Sequence, residues 1–135
     1  MLRDSGTWLG RGGLALVDVL VLLVALALLL AVGVPELSAA RRRSAEAVLR
    51  SDLRKLAAVQ ESYFFDHRVY AADPLDLQAS GFRPSPGVRI VMNEATQTGW
   101  SATASHPETP ARCFVFLRGA APVGTATTPG ELHCS

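Results

Sequence analysis

Gly12-Gly13-Leu14-Ala15-Leu16-Val17-Asp18 opens an apolar run that continues from Val19 to Val34 and stops at Pro35. Leu14 to Pro35 is 22 residues. At a rise of ~1.5 Å per residue, a helix of that length covers a hydrocarbon core of ~30 Å. One carboxylate, Asp18, sits near its start. An ionised side chain in the bilayer centre costs about 2.5–3.5 kcal/mol on insertion scales, so it takes a partner or reaches water. No basic residue lies between Leu14 and Pro35. Either a partner for Asp18 comes from outside the segment, or the carboxylate snorkels to the headgroups.

The segment before the run, residues 1–13, is polar and Gly-rich, with Arg3 and Arg11. It reads as a cytoplasmic leader. An ordinary secretory signal has a shorter apolar stretch, about 7–15 residues, and then a small-residue cleavage site. Ser38-Ala39-Ala40 offers such a site and is the competing reading. The positive-inside count runs the other way, because Arg41-Arg42-Arg43 outnumber the leader's two arginines.

From Glu36 to His67 no Gly or Pro interrupts the chain. Ala45, Val48, Leu49, Leu53, Leu56, Val59, Tyr63 and Phe64 recur at 3–4 spacing and predict one apolar helical stripe. Glu46 and Arg50 form an i,i+4 pair of favourable polarity. Pro35 reads as a kink between the two halves of a long helix. Asp73-Pro74 disfavours helix at Asp73, and Leu75–Phe82 is a connector with at most a short helical turn. Beyond Pro84 and Pro86 the pattern changes. Val88–Met92, Trp100–Ala104 and Cys113–Leu117 are short β-branched or aromatic runs and predict strands, with Gly119–Gly130 a loop and Leu132–Cys134 a terminal segment.

The composition is near neutral, with 13 basic and 12 acidic residues. That gives no bulk electrostatic case for nucleic acid. Arg41-Arg42-Arg43 reads first as a solvated helix face at a membrane edge rather than a DNA or lipid site. Cys113 and Cys134, both late in a small anchored domain, predict one disulfide in an oxidising compartment, against two free cytosolic thiols. His67, His106 and His133 lack ligand spacing, and Asp66, Asp73 and Asp76 do not form a calcium loop, so no metal and no cofactor is assigned. No nucleophile elbow or phosphate-binding loop is present, and the chain is read as non-enzymatic. Trp100 is read as core.

The leader ending at Gly13, the apolar helix, the acid at Asp18 and the proline at Pro35 together resemble the type IV pilin family and its pseudopilin relatives. The stretch Ser51-Asp52-Leu53-Arg54-Lys55-Leu56, then Gln60-Glu61-Ser62-Tyr63-Phe64 and Val69-Tyr70, is similar to the helix-to-loop passage of many pilins. The paired cysteines resemble the pilin loop that a disulfide closes. Three positions depart from the family. Leu14 stands for the usual Phe, Ala15-Leu16-Val17 for a Thr-Leu-Ile type run, and Asp18 for Glu, as a minor or divergent subunit would show.

The resemblance implies an α+β fold in which a long N-terminal helix packs on a small antiparallel sheet. Its segments would be a leader (1–13), a transmembrane and filament-core helix (14–35), the outer half of the helix (36–67) and a β-rich head (68–135). It implies cleavage between Gly13 and Leu14 by a prepilin peptidase, N-methylation of Leu14, and pairing of Asp18 with the amino terminus of a neighbouring subunit. The implied partners are copies of itself or sister pilins, an assembly platform and the membrane. The implied locations are the inner membrane for the precursor and then an extracellular pilus. Two alternatives stand beside this reading: a pseudopilin of type II secretion in a periplasmic filament, and a single-pass anchored periplasmic binding domain that never polymerises.

Overall fold

A computed structural model describes the backbone of residues 7–135 and the side chains from Ala15 onward. Of the expected leader, residues 1–6 and all side chains through Leu14 lie outside the described residues. The chain forms two compact units, residues 1–39 and 40–135.

Helix α1 runs Thr7–His67 and keeps its helical assignment through Pro35. Proline supplies no N–H to the preceding turn. One turn on, Ser38 Oγ donates to the carbonyl of Pro35 itself at 2.9 Å. At the other end, Arg68 adopts φ 60°. Its N–H closes on the Phe64 carbonyl at 2.8 Å, a left-handed cap of the last turn. The His67 Nδ1–H donates to the Tyr63 carbonyl at 3.0 Å and satisfies a second terminal acceptor. Helix α2 is short, Pro74–Ala79. Asp73 caps it by accepting from the Leu75 N–H at 2.8 Å, with Pro74 at the first helical position.

Four strands follow: β1 (Arg89–Ala95), β2 (Gly99–His106), β3 (Thr109–Arg118) and β4 (His133–Cys134). They form an antiparallel meander in the order β1-β2-β3-β4. The strands predicted at Trp100–Ala104 and Cys113–Leu117 extend at both ends, the one at Val88–Met92 begins a residue later and runs on to Ala95, and His133–Cys134 of the predicted terminal segment forms one edge strand. A bulge between Met92 and Glu94 lets β1 run further than its apolar pattern predicts.

Alternation along the strands separates two apolar clusters. On one face, Trp100, Ala102 and Ala104 of β2 with Cys113 and Val115 of β3 form the main core with Leu49, Leu53 and Leu56 of α1, together with Tyr70, Leu77 and Phe82. The three leucines are fully buried. Each such burial stabilises by roughly 1.5–3 kcal/mol. Trp100 is core, as expected, with 0% exposure. Its indole N–H has no hydrogen-bond partner among the described residues, so it contributes by volume.

On the opposite face, Phe116, Ala120 and Ala126 form a second cluster that also takes in Phe114 and Val123. The loop from Gly119 to Gly130 therefore has an apolar floor of its own, where its small residues predict almost none. Gly124, at φ 57°, lies so close to the Phe114 ring that a Cβ there would collide with it. The expected disulfide joins Cys113 of β3 to Cys134 of β4, which face each other in the register. The neighbouring pair, Arg112 and Ser135, exchanges both backbone hydrogen bonds at 2.9 and 3.0 Å.

Candidate functional site

Over residues 15–39, the helix presents apolar side chains on every side. Leu16, Val17, Val19, Leu20, Val21, Leu22 and Leu23 are all more than half exposed, and the pattern continues to Val34 and Leu37. The most apolar 18-residue window has mean hydropathy 3.1, and none of it is buried within the chain. A helix that is apolar all round and covered by nothing of its own is suited to lipid or to other helices. Shallow grooves run along two of its sides. One is lined by Val19, Leu22, Leu23, Ala25, Leu26 and Leu29, the other by Leu20, Val21, Val24, Ala25 and Leu28. Ala25 borders both, and small residues are what allow close helix approach.

Asp18 is exposed on this helix, one turn before Leu22. Among the described residues no hydrogen bond or ion pair reaches it. The residues expected to act with it, Gly13 and Leu14, have helical backbone; their side chains lie outside the described residues.

In the unit of residues 40–135, polar contacts fix the connector after α1 onto the helix. Asp52 is fully buried. Its carboxylate accepts from the Ser85 N–H at 2.6 Å and from Ser85 Oγ at 2.8 Å, with Lys55 Nζ 3.8 Å away. Gln60, also fully buried, pairs with both backbone groups of Ala71. Tyr70 stacks on Phe64 with ring centroids 4.6 Å apart and donates its hydroxyl to Glu61 Oε1 at 3.3 Å. Burial, then the Glu61 carboxylate, raises the Tyr70 phenol, and Arg118 opposes them. Burial and Asp76 likewise raise Tyr63.

Asp52 and Gln60 were not legible as interior residues. Their one signal is position: Asp52 lies three residues after Leu49 and four before Leu56, and Gln60 four after Leu56, beside the apolar stripe. A hollow of about 60 Å³ between Pro74, Leu77, Phe82, Pro84, Ile90 and Met92 holds no more than water.

A long N-terminal apolar helix, a four-stranded antiparallel sheet and a disulfide-closed C-terminal loop define a pilin-like α+β protein. No family model matches the chain. It is similar to the type IV wide pilus major component PilA4 of Thermus thermophilus, 28% identical over 95 residues that cover 70% of this chain and 72% of that protein. The chain is thus similar to a type IV pilin, as its N-terminal pattern leads one to expect.

Proposed function

We propose that this protein is a structural, non-enzymatic subunit of a type IV pilus-like filament. The observation that carries the reading is the apolar helix, long enough to span a bilayer and with none of its most apolar window buried in its own chain. Its likeness to a wide-pilus component supports the same reading. The subunit is held first in the inner membrane by this helix and then in an extracellular filament, where copies of itself or sister pilins replace lipid around it. Dispersion contacts between closely approaching helices drive that exchange.

In this reading a prepilin peptidase cuts between Gly13 and Leu14 and creates a new amino terminus four residues before Asp18. An assembly platform then inserts the subunit. The Asp18 carboxylate meets the amino terminus of an adjacent subunit, so that each charge loses its isolation in the apolar bundle. Pro35 serves as the kink point that adapts the helix to its neighbours. The C-terminal disulfide and the pilus-component relative weigh for a surface pilus over a type II secretion pseudopilin.

Immuno-electron microscopy of sheared surface fractions, with mass spectrometry of the protein in them, tests the proposal. The expected result is labelled filaments containing a chain that begins at Leu14. A chain that begins at Ala40 or Arg41, or one found only in the membrane, contradicts it.

A further inference from the structure

Arg41, Arg42 and Arg43 are consecutive in helix α1 and all exposed. The ion pairs among the described residues are Arg50–Glu46 and Lys55–Asp52, so none of these three arginines is engaged in one. Glu36 is the one acid between Asp18 and Glu46, which leaves the triplet's charge locally unbalanced. Its neighbours Ala39, Ala40 and Ser44 are small and leave the guanidinium groups open. Ala45 is the first residue of this stretch to be buried, at 4% exposure.

The spacing discriminates between partners. Consecutive helical residues are about 100° apart, so three in a row fan across roughly 200° of the circumference. A protein or duplex that docks from one side is met by residues at 3–4 spacing, which share a face. A headgroup layer surrounds a helix and can engage a fan. Depth points the same way. Val34 ends the apolar run, and the seven residues to Arg41 rise by about 10 Å. The headgroup zone extends roughly 5–8 Å beyond the hydrocarbon on each side. The long arginine stem reaches back across that difference.

We propose that Arg41–Arg43 form a collar that binds anionic phospholipid headgroups on the head side of the membrane while the subunit awaits assembly. Guanidinium groups suit phosphate because they donate in a planar fork. The collar would have to release when the subunit leaves the membrane. It rests on the membrane-resident stage of the proposed function and not on polymerisation.

The test is native mass spectrometry of the full chain in detergent micelles titrated with phosphatidylglycerol or phosphatidylcholine. The wild-type chain is expected to prefer phosphatidylglycerol by on the order of tenfold or more, given about fivefold per engaged arginine. The R41Q/R42Q/R43Q variant is expected to lose the preference, R41K/R42K/R43K to keep part of it, and R54Q to keep all of it. Inorganic phosphate at matched concentration is expected not to displace the lipid. The proposal is overturned by equal retention of the two lipids, by a preference that survives the triple Gln change, or by displacement with free phosphate. It is equally overturned if the triple Gln change abolishes duplex DNA binding but leaves the lipid preference intact. A chain that does not enter micelles at all contradicts the membrane-resident reading itself, a separate outcome.

Discussion

Gln60 treats the backbone of Ala71 as a strand partner: its Nε2 donates to the Ala71 carbonyl at 2.7 Å and its Oε1 accepts the Ala71 N–H at 2.8 Å. Both residues are buried. The pair turns a helix side chain into the anchor for the segment that leaves the helix, and Tyr70, one residue before Ala71, is fixed as well by its N–H to the Thr96 carbonyl at 3.0 Å.

Gln60→Ala leaves the two backbone groups of Ala71 buried without partners. An unsatisfied buried polar group costs about 1–3 kcal/mol. Gln60→Ala is therefore expected to lower unfolding stability by roughly 2–6 kcal/mol on that basis, and Gln60→Glu by less, since an ionised carboxylate loses the donated bond but still accepts the Ala71 N–H. Chemical denaturation of the full chain in mild detergent measures both. An unchanged midpoint for Gln60→Ala contradicts the assignment.

Asp52 and Ser85 make a second clamp, 33 residues apart in sequence. Ser85→Ala removes the hydroxyl donor but keeps the N–H at 2.6 Å. A charge-assisted hydrogen bond contributes about 1.5–3 kcal/mol. Ser85→Ala should cost that much, and Asp52→Ala more, because both donors lose their acceptor. A double-mutant cycle between the two positions should give coupling above about 0.5 kcal/mol, the level found between residues in contact. Additive effects would show that the two side chains act separately.

These clamps mark the limit of what the sequence discloses. The uninterrupted run to His67 shows the helix, and Asp73-Pro74 shows that it cannot simply continue. The aromatic and β-branched runs around Trp100 and Val115 show the strands, and Cys113 with Cys134 shows the staple. Each is a local or periodic signal. Asp52 and Gln60 are polar and absent from the predicted apolar stripe; their burial depends on partners 33 and 11 residues away in irregular chain. Phe114 and Phe116 alternate with the core-facing residues, so the pattern puts them outside. Only the fold of the loop back onto them makes a second cluster. The lone acid Asp18 is legible from sequence because an apolar run makes any charge conspicuous.

The disulfide spans a sequence separation of 21. In the chain-entropy model, closing a loop of that size stabilises by about 3 kcal/mol. Reduction, or Cys113→Ala with Cys134→Ala, is expected to lower stability by about that amount. The cluster of Phe116, Ala120 and Ala126 should hold the loop in place afterwards. Amide exchange in residues 119–130 should then rise modestly rather than to the rate of an unstructured chain. Full loss of protection there would show that the staple alone holds the loop.

Tyr70 gives a pH dependence with a defined sign. Its phenol is raised above the ordinary 10.0 by burial and by Glu61. The folded state thus favours the protonated form. Its contribution to stability is complete below pH about 10 and falls as the pH rises from there toward the raised folded value. Unfolding measured between pH 8 and pH 11 should show the wild type losing stability above about 10, the ordinary tyrosine value. Tyr70→Phe should flatten part of that loss. A Tyr70→Phe variant with the full alkaline decline would assign it to other groups.

The most direct test of the account is the fate of Asp18→Ala in cells that make filaments. If the carboxylate meets a neighbour's amino terminus, its removal strands an ammonium group in an apolar bundle. Breaking a buried pair from one side typically costs about 3–5 kcal/mol. Membrane insertion should survive, since the segment becomes more apolar. Quantitative mass spectrometry of sheared filaments and of membranes is predicted to find Asp18→Ala cleaved after Gly13, resident in the membrane and depleted from filaments, with Asp18→Glu incorporated as the wild type is. Asp18→Ala present in filaments at the wild-type level would contradict the account.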